Sequence, residues 1–152
     1  MRPYVRERTE ACSLAHRLAG PRLPTWRTME SLMIMKTACA LLAVAALGGL
    51  TMAGMSFGGR PQPPAWLAML HGMLAAAALT LLLYAYFTVG LPQLAAIALL
   101  LFLIAAAGGA YLNLSFHWKM LPLPKGLIIG HAVAAVAGFA LLLTATWNAT
   151  RA

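Results

Sequence analysis

Between residues 61 and 118 the chain contains no Asp, Glu, Lys or Arg. These four residue types make up about a quarter of an ordinary soluble domain, but only 9% of this chain of 152 residues. Because 62% of the residues are hydrophobic and the mean hydropathy is +0.80, too few polar side chains remain to cover a water-facing surface. We therefore expect lipid to be the solvent for most of the chain.

Four apolar segments are each long enough to provide the roughly 20 residues that a helix needs to cross a bilayer. They are residues 37–57, 65–87, 92–112 and 126–147. The links between them are rich in glycine and proline, which is typical of turns. Strands are excluded, because open sheet edges cannot satisfy their hydrogen bonds in hydrocarbon. The sequence thus predicts an all-α integral membrane four-helix bundle.

The basic residues indicate an orientation and exclude nucleic acid as a partner. Residues 1–31 hold six of the eleven bases, all of them arginines, and the remaining bases flank apolar segments. With Lys36 and Arg151, the side of the termini carries eight bases, against Arg60, Lys119 and Lys125 on the other side. Basic residues concentrate on the cytoplasmic side of membrane proteins. We expect a multi-pass membrane protein with both termini in the cytoplasm and the lipid bilayer as its main partner.

Residues 1–31 differ in kind from the rest of the chain, since prolines and scattered arginines interrupt any helical period. Two interpretations remain open for this segment. It is either a disordered basic tail in the cytoplasm, or it precedes a natural start at Met29 or Met33. In the second case the orientation inference loses most of its basic residues.

An internal repeat of about 60 residues follows the tail. Shifting the chain by 60 residues places Gly48-Gly49 on Gly108-Gly109, Pro64 on Pro124 and His71 on His131. The sequence therefore predicts two tandem hairpins, residues 32–91 and 92–152, related by a pseudo-two-fold axis along the membrane normal. Each histidine lies seven residues after its proline, which places both about 10 Å into their helices at 1.5 Å per residue.

The two histidines are the candidate site, because ionisable groups inside membrane spans are rare and often functional. Imidazole is a common ligand of haem iron. Small residues near each histidine predict a flat slot for a tetrapyrrole, with a b-type haem first and a magnesium pigment second. The candidate residues, besides His71 and His131 as iron ligands, are Ala75, Ala78, Ala135, Gly138, Gly48, Gly49, Gly108 and Gly109. Arg60, Lys119 and Lys125 are candidates to pair with the propionates.

A simpler interpretation uses the same residues. Small residues let transmembrane helices pack closely without any ligand. Each histidine would then form an interhelical hydrogen bond, to the other histidine or to Thr51, Ser56 or Ser115. We expect His117, beside Trp118, to be an interfacial anchor rather than a ligand.

With the segments Leu70-His71-Gly72 and Gly130-His131-Ala132, the chain resembles small duplicated four-span inner-membrane proteins of proteobacteria, a group of unassigned function. The resemblance covers about residues 32–148. The chain also has a broad similarity to four-helix b-type cytochromes, which implies haem ligation by the histidine pair. Those cytochromes usually carry more histidines and often a second haem, so this chain would hold one haem at most.

Three functions follow from these observations. The first is a small accessory or structural membrane subunit, not an enzyme, that packs against other membrane subunits or against itself. The alternative is a b-type haem electron-transfer protein ligated by His71 and His131. A third is one half of a dimeric small-molecule transporter, although no polar stripe lines any helix to support it.

Overall fold

The structure, a computed structural model, describes residues 25–59 and 62–151, and every regular element within these ranges is helical. The elements are α1 (Thr25–Phe57), α2 (Ala65–Thr88), α3 (Gln93–Leu112) with a π-helical turn at Asn113–His117, and α4 (Lys125–Arg151). All four α-helices are long and apolar enough to cross a membrane. The prediction of an all-helical chain with four such helices is confirmed. Residues 1–24 of the predicted tail lie outside the described residues.

Proline determines where three of the four helices begin. Pro64, Pro92 and Pro124 each precede a helix, and the carbonyl of each accepts a hydrogen bond from the first helical turn. Proline suits this position, because the amide hydrogen that it lacks would have no helical partner there. The α2–α3 turn is closed by Gly90, which has a φ of +89° and donates to the Ala85 carbonyl at 2.8 Å.

The chain runs up and down through the four helices, so the bundle has two distinct ends. The terminal end is where α1 begins, α4 ends and α2 connects to α3; the loop end carries the α1–α2 and α3–α4 connections. The closest packing lies within the hairpins α1–α2 and α3–α4, and the hairpins also meet along α1–α4 and α2–α3. The hydrophobic core is formed largely by residues near the terminal end, with Met35, Leu82 and Leu142 almost fully buried.

The outer surface of the bundle is apolar. Leu50 and Val136, for example, are about 70% exposed without protein neighbours to cover them. Seven threonine hydroxyls donate to the carbonyl four residues earlier in their own helices, at 2.7–3.0 Å. Hydroxyls satisfied in this way do not need water as a partner. A surface of this kind suits a lipid environment better than an aqueous one.

Candidate functional site

His71 on α2 and His131 on α4 each form one hydrogen bond to the neighbouring helix of the same hairpin. The Nδ1 atom of His71 lies 2.7 Å from the Ala45 carbonyl oxygen, and that of His131 lies 2.8 Å from the Ala105 carbonyl oxygen. A carbonyl oxygen can only accept, so each Nδ1 carries the hydrogen. In a neutral imidazole this leaves the lone pair on Nε2, the atom that is free to bind a metal.

Two glycines allow the imidazole rings to approach the backbone of α1 and α3. A Cβ atom placed on Gly49 would lie 3.1 Å from Cε1 of His71, and one on Gly109 would lie 3.1 Å from Cε1 of His131. Gly48 and Gly108 lie beside the histidine Cβ atoms, at 3.7 and 3.9 Å by the same measure. The close approach thus brings each ring within reach of a main-chain carbonyl.

The two rings lie close together across the bundle. Their centroids are 6.1 Å apart and their planes cross at 69°. An imidazole–metal bond is about 2 Å long, and a ring nitrogen lies about 1 Å from the ring centre, so two imidazoles that bind one metal in line have centroids about 6 Å apart. The observed separation is close to that value, and it also lies within the 4.5–7 Å range of edge-to-face contacts between aromatic rings.

Neither Nε2 atom is paired within the described residues. No other described group forms a hydrogen bond with either ring. At the same time, no side-chain nitrogen in the described ranges is both fully buried and without a hydrogen-bond partner. Both Nε2 atoms are consequently accessible from the space between the helices.

That space is a cavity of about 500 Å³ in the half of the bundle toward the loop end. Ligand sites in proteins generally have volumes of about 300–1,000 Å³. The cavity walls include both histidines and come from all four helices, with Leu79 and Phe139 on the side away from the loop end. Most of its lining is aliphatic or aromatic, which suits an apolar ligand.

The structure brings together some of the predicted site residues but not all of them. Ala75, Ala135, Gly49 and Gly109 line the cavity together with the histidines. Ala78 is fully buried in the core and does not line it. Gly138 packs against α3, since an added Cβ would lie 3.3 Å from the Ala98 carbonyl oxygen.

The hydrogen-bond partners proposed as the alternative are not the ones observed. Thr51 donates to the Leu47 carbonyl of its own helix at 2.8 Å. Ser56 lines the cavity nearer the loop end and has no hydrogen bond to either ring. The backbone carbonyls of Ala45 and Ala105 take the place that these side chains were expected to fill.

His117, which the sequence predicted to be an interfacial anchor, has a side chain that is only 9% exposed and lines the cavity. Asn113, the first residue of the π-helical turn, lines the cavity as well. The available sequence signal was the absence of charged residues up to residue 118, which extends the third apolar stretch through His117.

Two of the three basic residues predicted to pair with propionates, Lys119 and Lys125, lie toward the same end. The Nζ atom of Lys125 is 5.8 Å from the centre of the Phe57 ring. Lys119 follows the π-helical turn, and Arg60 lies outside the described residues.

In the described ranges, no three or more His, Cys, Asp or Glu side chains are grouped as they would be to hold a metal ion by themselves. Comparison with protein families, with curated proteins and with solved structures gives no match for this chain.

Proposed function

We propose that the protein is a four-span membrane protein that binds one metal tetrapyrrole, a b-type haem in the first place, between His71 and His131. The carrying observation is the 6.1 Å separation of two imidazoles whose Nδ1 atoms are already engaged. A hydrogen bond from Nδ1 to a carbonyl fixes the orientation of a metal-binding histidine and raises the basicity of its Nε2. The engaged Nδ1 atoms and the short ring separation support the proposal that His71 and His131 would hold the metal through Nε2.

The cavity supports the same proposal. The faces of α2 and α4 beside the histidines carry Ala75 and Ala135, whose methyl groups leave room for a planar ring. Gly49 and Gly109, which have no side chain, leave similar room on α1 and α3. A macrocycle in this position would bury its apolar faces and leave water outside the site.

A tandem duplication explains why the two ligands match. The Nδ1–carbonyl bond spans 26 residues in each half, and its length differs by 0.1 Å between them. We infer that two copies of one hairpin enter the membrane from the same side and are related by a pseudo-two-fold axis along its normal. With the termini in the cytoplasm of a bacterial inner membrane, the histidines would lie in the outer half of the bilayer.

A haem bound here would supply a one-electron carrier. One such group near the loop end does not connect the two membrane surfaces, so we propose that electrons are exchanged with a partner on the loop side. The residues of this chain orient the ligand and exclude water from it. They contribute no acid or base from Asp or Glu, because none follows Glu30.

Purification from haem-sufficient cells tests this function. We expect a Soret band in the detergent-solubilised protein and about one haem per chain. The substitutions His71→Ala and His131→Ala should each remove the six-coordinate low-spin spectrum. Met73→Ala and Val133→Ala are matched controls, because these side chains are 69% and 63% exposed on the same two helices. They should retain the spectrum in full.

A second candidate, an accessory subunit without a cofactor, is favoured by one specific observation. Each imidazole already completes an interhelical hydrogen bond through Nδ1, so the histidines stabilise the hairpins without a ligand. In this case the preparation would be folded and colourless, and a stoichiometric membrane partner would purify with it.

A further inference from the structure

The polar side chains nearest the loop end of the cavity have no assigned role in the site described above. Ser56 of α1, together with Asn113 and His117 of the π-helical turn, lines the cavity there. We call these three residues the polar mouth. The loops on either side are joined, since the Gln62 side-chain amide donates to the Leu121 carbonyl at 3.4 Å.

His117 is the informative member of the polar mouth. Its side chain is 91% buried, yet neither ring nitrogen has a hydrogen-bond partner among the described residues. No unpartnered side-chain nitrogen of the described residues is fully buried, so the ring nitrogens of His117 remain accessible although most of the side chain is covered. Because the ring lines the cavity, a ligand in the cavity can provide the missing partner.

The local backbone directs His117 into the cavity. The π-helical hydrogen bonds run from Trp118 N to Asn113 O and from Leu121 N to Phe116 O, both at 2.9 Å. Single π-turns within helices occur frequently at functional sites, because they change the direction of the side chains that follow. α1 continues as an α-helix to Phe57 at the corresponding place.

This histidine also breaks the internal symmetry. When Ser56-Phe57 is aligned with Ser115-Phe116, His117 corresponds to Gly58. The first hairpin therefore has no equivalent imidazole. A symmetric pair of axial ligands combined with an asymmetric mouth would bind a ligand that has polar groups at one edge only.

Charge indicates the chemistry of that edge. Imidazole, amide and hydroxyl groups can all donate hydrogen bonds, and Lys119 and Lys125 lie toward the same end. No Asp or Glu occurs after Glu30, so no carboxylate of the last four-fifths of the chain can compete for these donors. The polar mouth thus suits an anionic, acceptor-rich group, such as a carboxylate.

The distance along the bundle is suitable for such a group. Gly109 is level with the ring of His131, and His117 lies eight residues further toward the loop end (109 to 117). At 1.5 Å per residue in an α-helix, and less through the π-helical turn, this is at most about 12 Å. The span is comparable with the reach from the centre of a porphyrin to its propionate carboxylates.

We propose that His117 binds a carboxylate of the ligand held between His71 and His131, so that the acidic edge of a tetrapyrrole faces the loop end. This inference rests on the proposed function and adds the orientation of the ligand. His117 is a positioning residue under this proposal, since it does not touch the metal.

Titration of the apoprotein with haem and with haem dimethyl ester tests the orientation, because the ester lacks the two negative charges. We expect the wild-type chain to bind haem about 10-fold to 100-fold more tightly than the ester, as a charge-assisted hydrogen bond would give. His117→Ala should reduce this ratio to about threefold or less without changing the affinity for the ester. His117→Gln, which keeps a donor, should retain part of the ratio.

Trp118→Ala is the matched control, because Trp118 is adjacent but 74% exposed, and it should keep the full ratio. Equal affinity of the wild type for both porphyrins would overturn the orientation and leave the ligand pair standing. An equal loss for both porphyrins in His117→Ala would likewise overturn it, because that result indicates a purely structural role. Binding of neither porphyrin by the wild type would remove the proposed function and this inference with it.

Discussion

At the scale of single residues, the site depends on the absence of a side chain at two glycines as much as on the two imidazoles. Gly49 and Gly109 leave the space into which the rings of His71 and His131 fit. Any larger residue at these two positions would push the ring away from the carbonyl that it contacts. The glycine pairs are thus explained by the ring positions as well as by helix packing.

The substitution Gly49→Ala should destabilise the α1–α2 hairpin. The new methyl group would lie 3.1 Å from Cε1 of His71, and the ring is held on this side by its bond to Ala45. Overpacking of this kind costs about 1–3 kcal/mol. Gly54→Ala on the same helix meets no atom within 4 Å and should be neutral or slightly stabilising. Reversible unfolding in mixed micelles measures both, and equal stabilities of the two variants would contradict the geometry.

The sequence was sufficient to select the two histidines but not their hydrogen-bond partners. Their position seven residues after a proline placed them at equal depth, and the structure puts both in one cavity. Side-chain partners were expected because hydroxyls were the visible polar groups in the spans. The carbonyls of Ala45 and Ala105 became acceptors only because a glycine four residues later exposes them. A sequence pattern does not show backbone atoms, so this feature could not be predicted.

At the scale of helices, the apolar pattern predicted the existence of each element better than its ends. The first span was expected at residues 37–57, whereas α1 begins at Thr25 and includes residues 25–31 of the predicted tail. A span predicted from hydropathy ends where charged residues begin. A helix can continue past that point, because charged side chains at its end are solvated. Arg27 stacks on Trp26 and Arg151 on Trp147, at 5.2 and 4.3 Å from the ring centres.

The directions in which the small residues point around each helix explain why only some of them line the cavity. At 3.6 residues per turn, Ala75 and Ala78 lie about 40° and 20° to opposite sides of the direction of His71. The cavity lies on the side of Ala75, while Ala78 is turned into the helix contact. The same relation holds for Ala135 and Gly138 on α4. The small-residue face can be predicted from the sequence, but the packing of the neighbouring helices determines which side of that face lines the cavity.

Gly138→Ala should weaken the packing of α4 on α3. The added Cβ would lie 3.2 Å from Phe102 and 3.3 Å from the Ala98 carbonyl, which belongs to a helix backbone and cannot rotate away. Gly130→Ala lies on the same helix in open space, so it should gain the usual helix preference of alanine, roughly 0.5–1 kcal/mol. We expect Gly138→Ala to be less stable than Gly130→Ala by about 1–3 kcal/mol. Unfolding midpoints in mixed micelles give this difference, and the reverse order would refute the tight contact.

At the scale of the whole molecule, the bundle is closed at the terminal end and open in the half toward the loops. Met35, Leu82 and Leu142 fill the closed end, whereas the cavity occupies the space around the histidines. Hydropathy treats both halves alike, because each is built from alanine and leucine. The division depends on how the four helices pack against one another, which no single apolar segment encodes. The cavity could therefore not be predicted from the sequence.

Electron paramagnetic resonance of the oxidised, haem-containing protein tests the central claim, that two imidazoles share one metal, most directly. The ring planes cross at 69°, and axial imidazoles at so large an angle give a highly anisotropic low-spin ferric signal. We predict that signal in the wild type and in Met73→Ala, and its loss in His71→Ala and His131→Ala. A high-spin ferric signal in the wild type, or protein without haem iron from haem-sufficient cells, would contradict the claim.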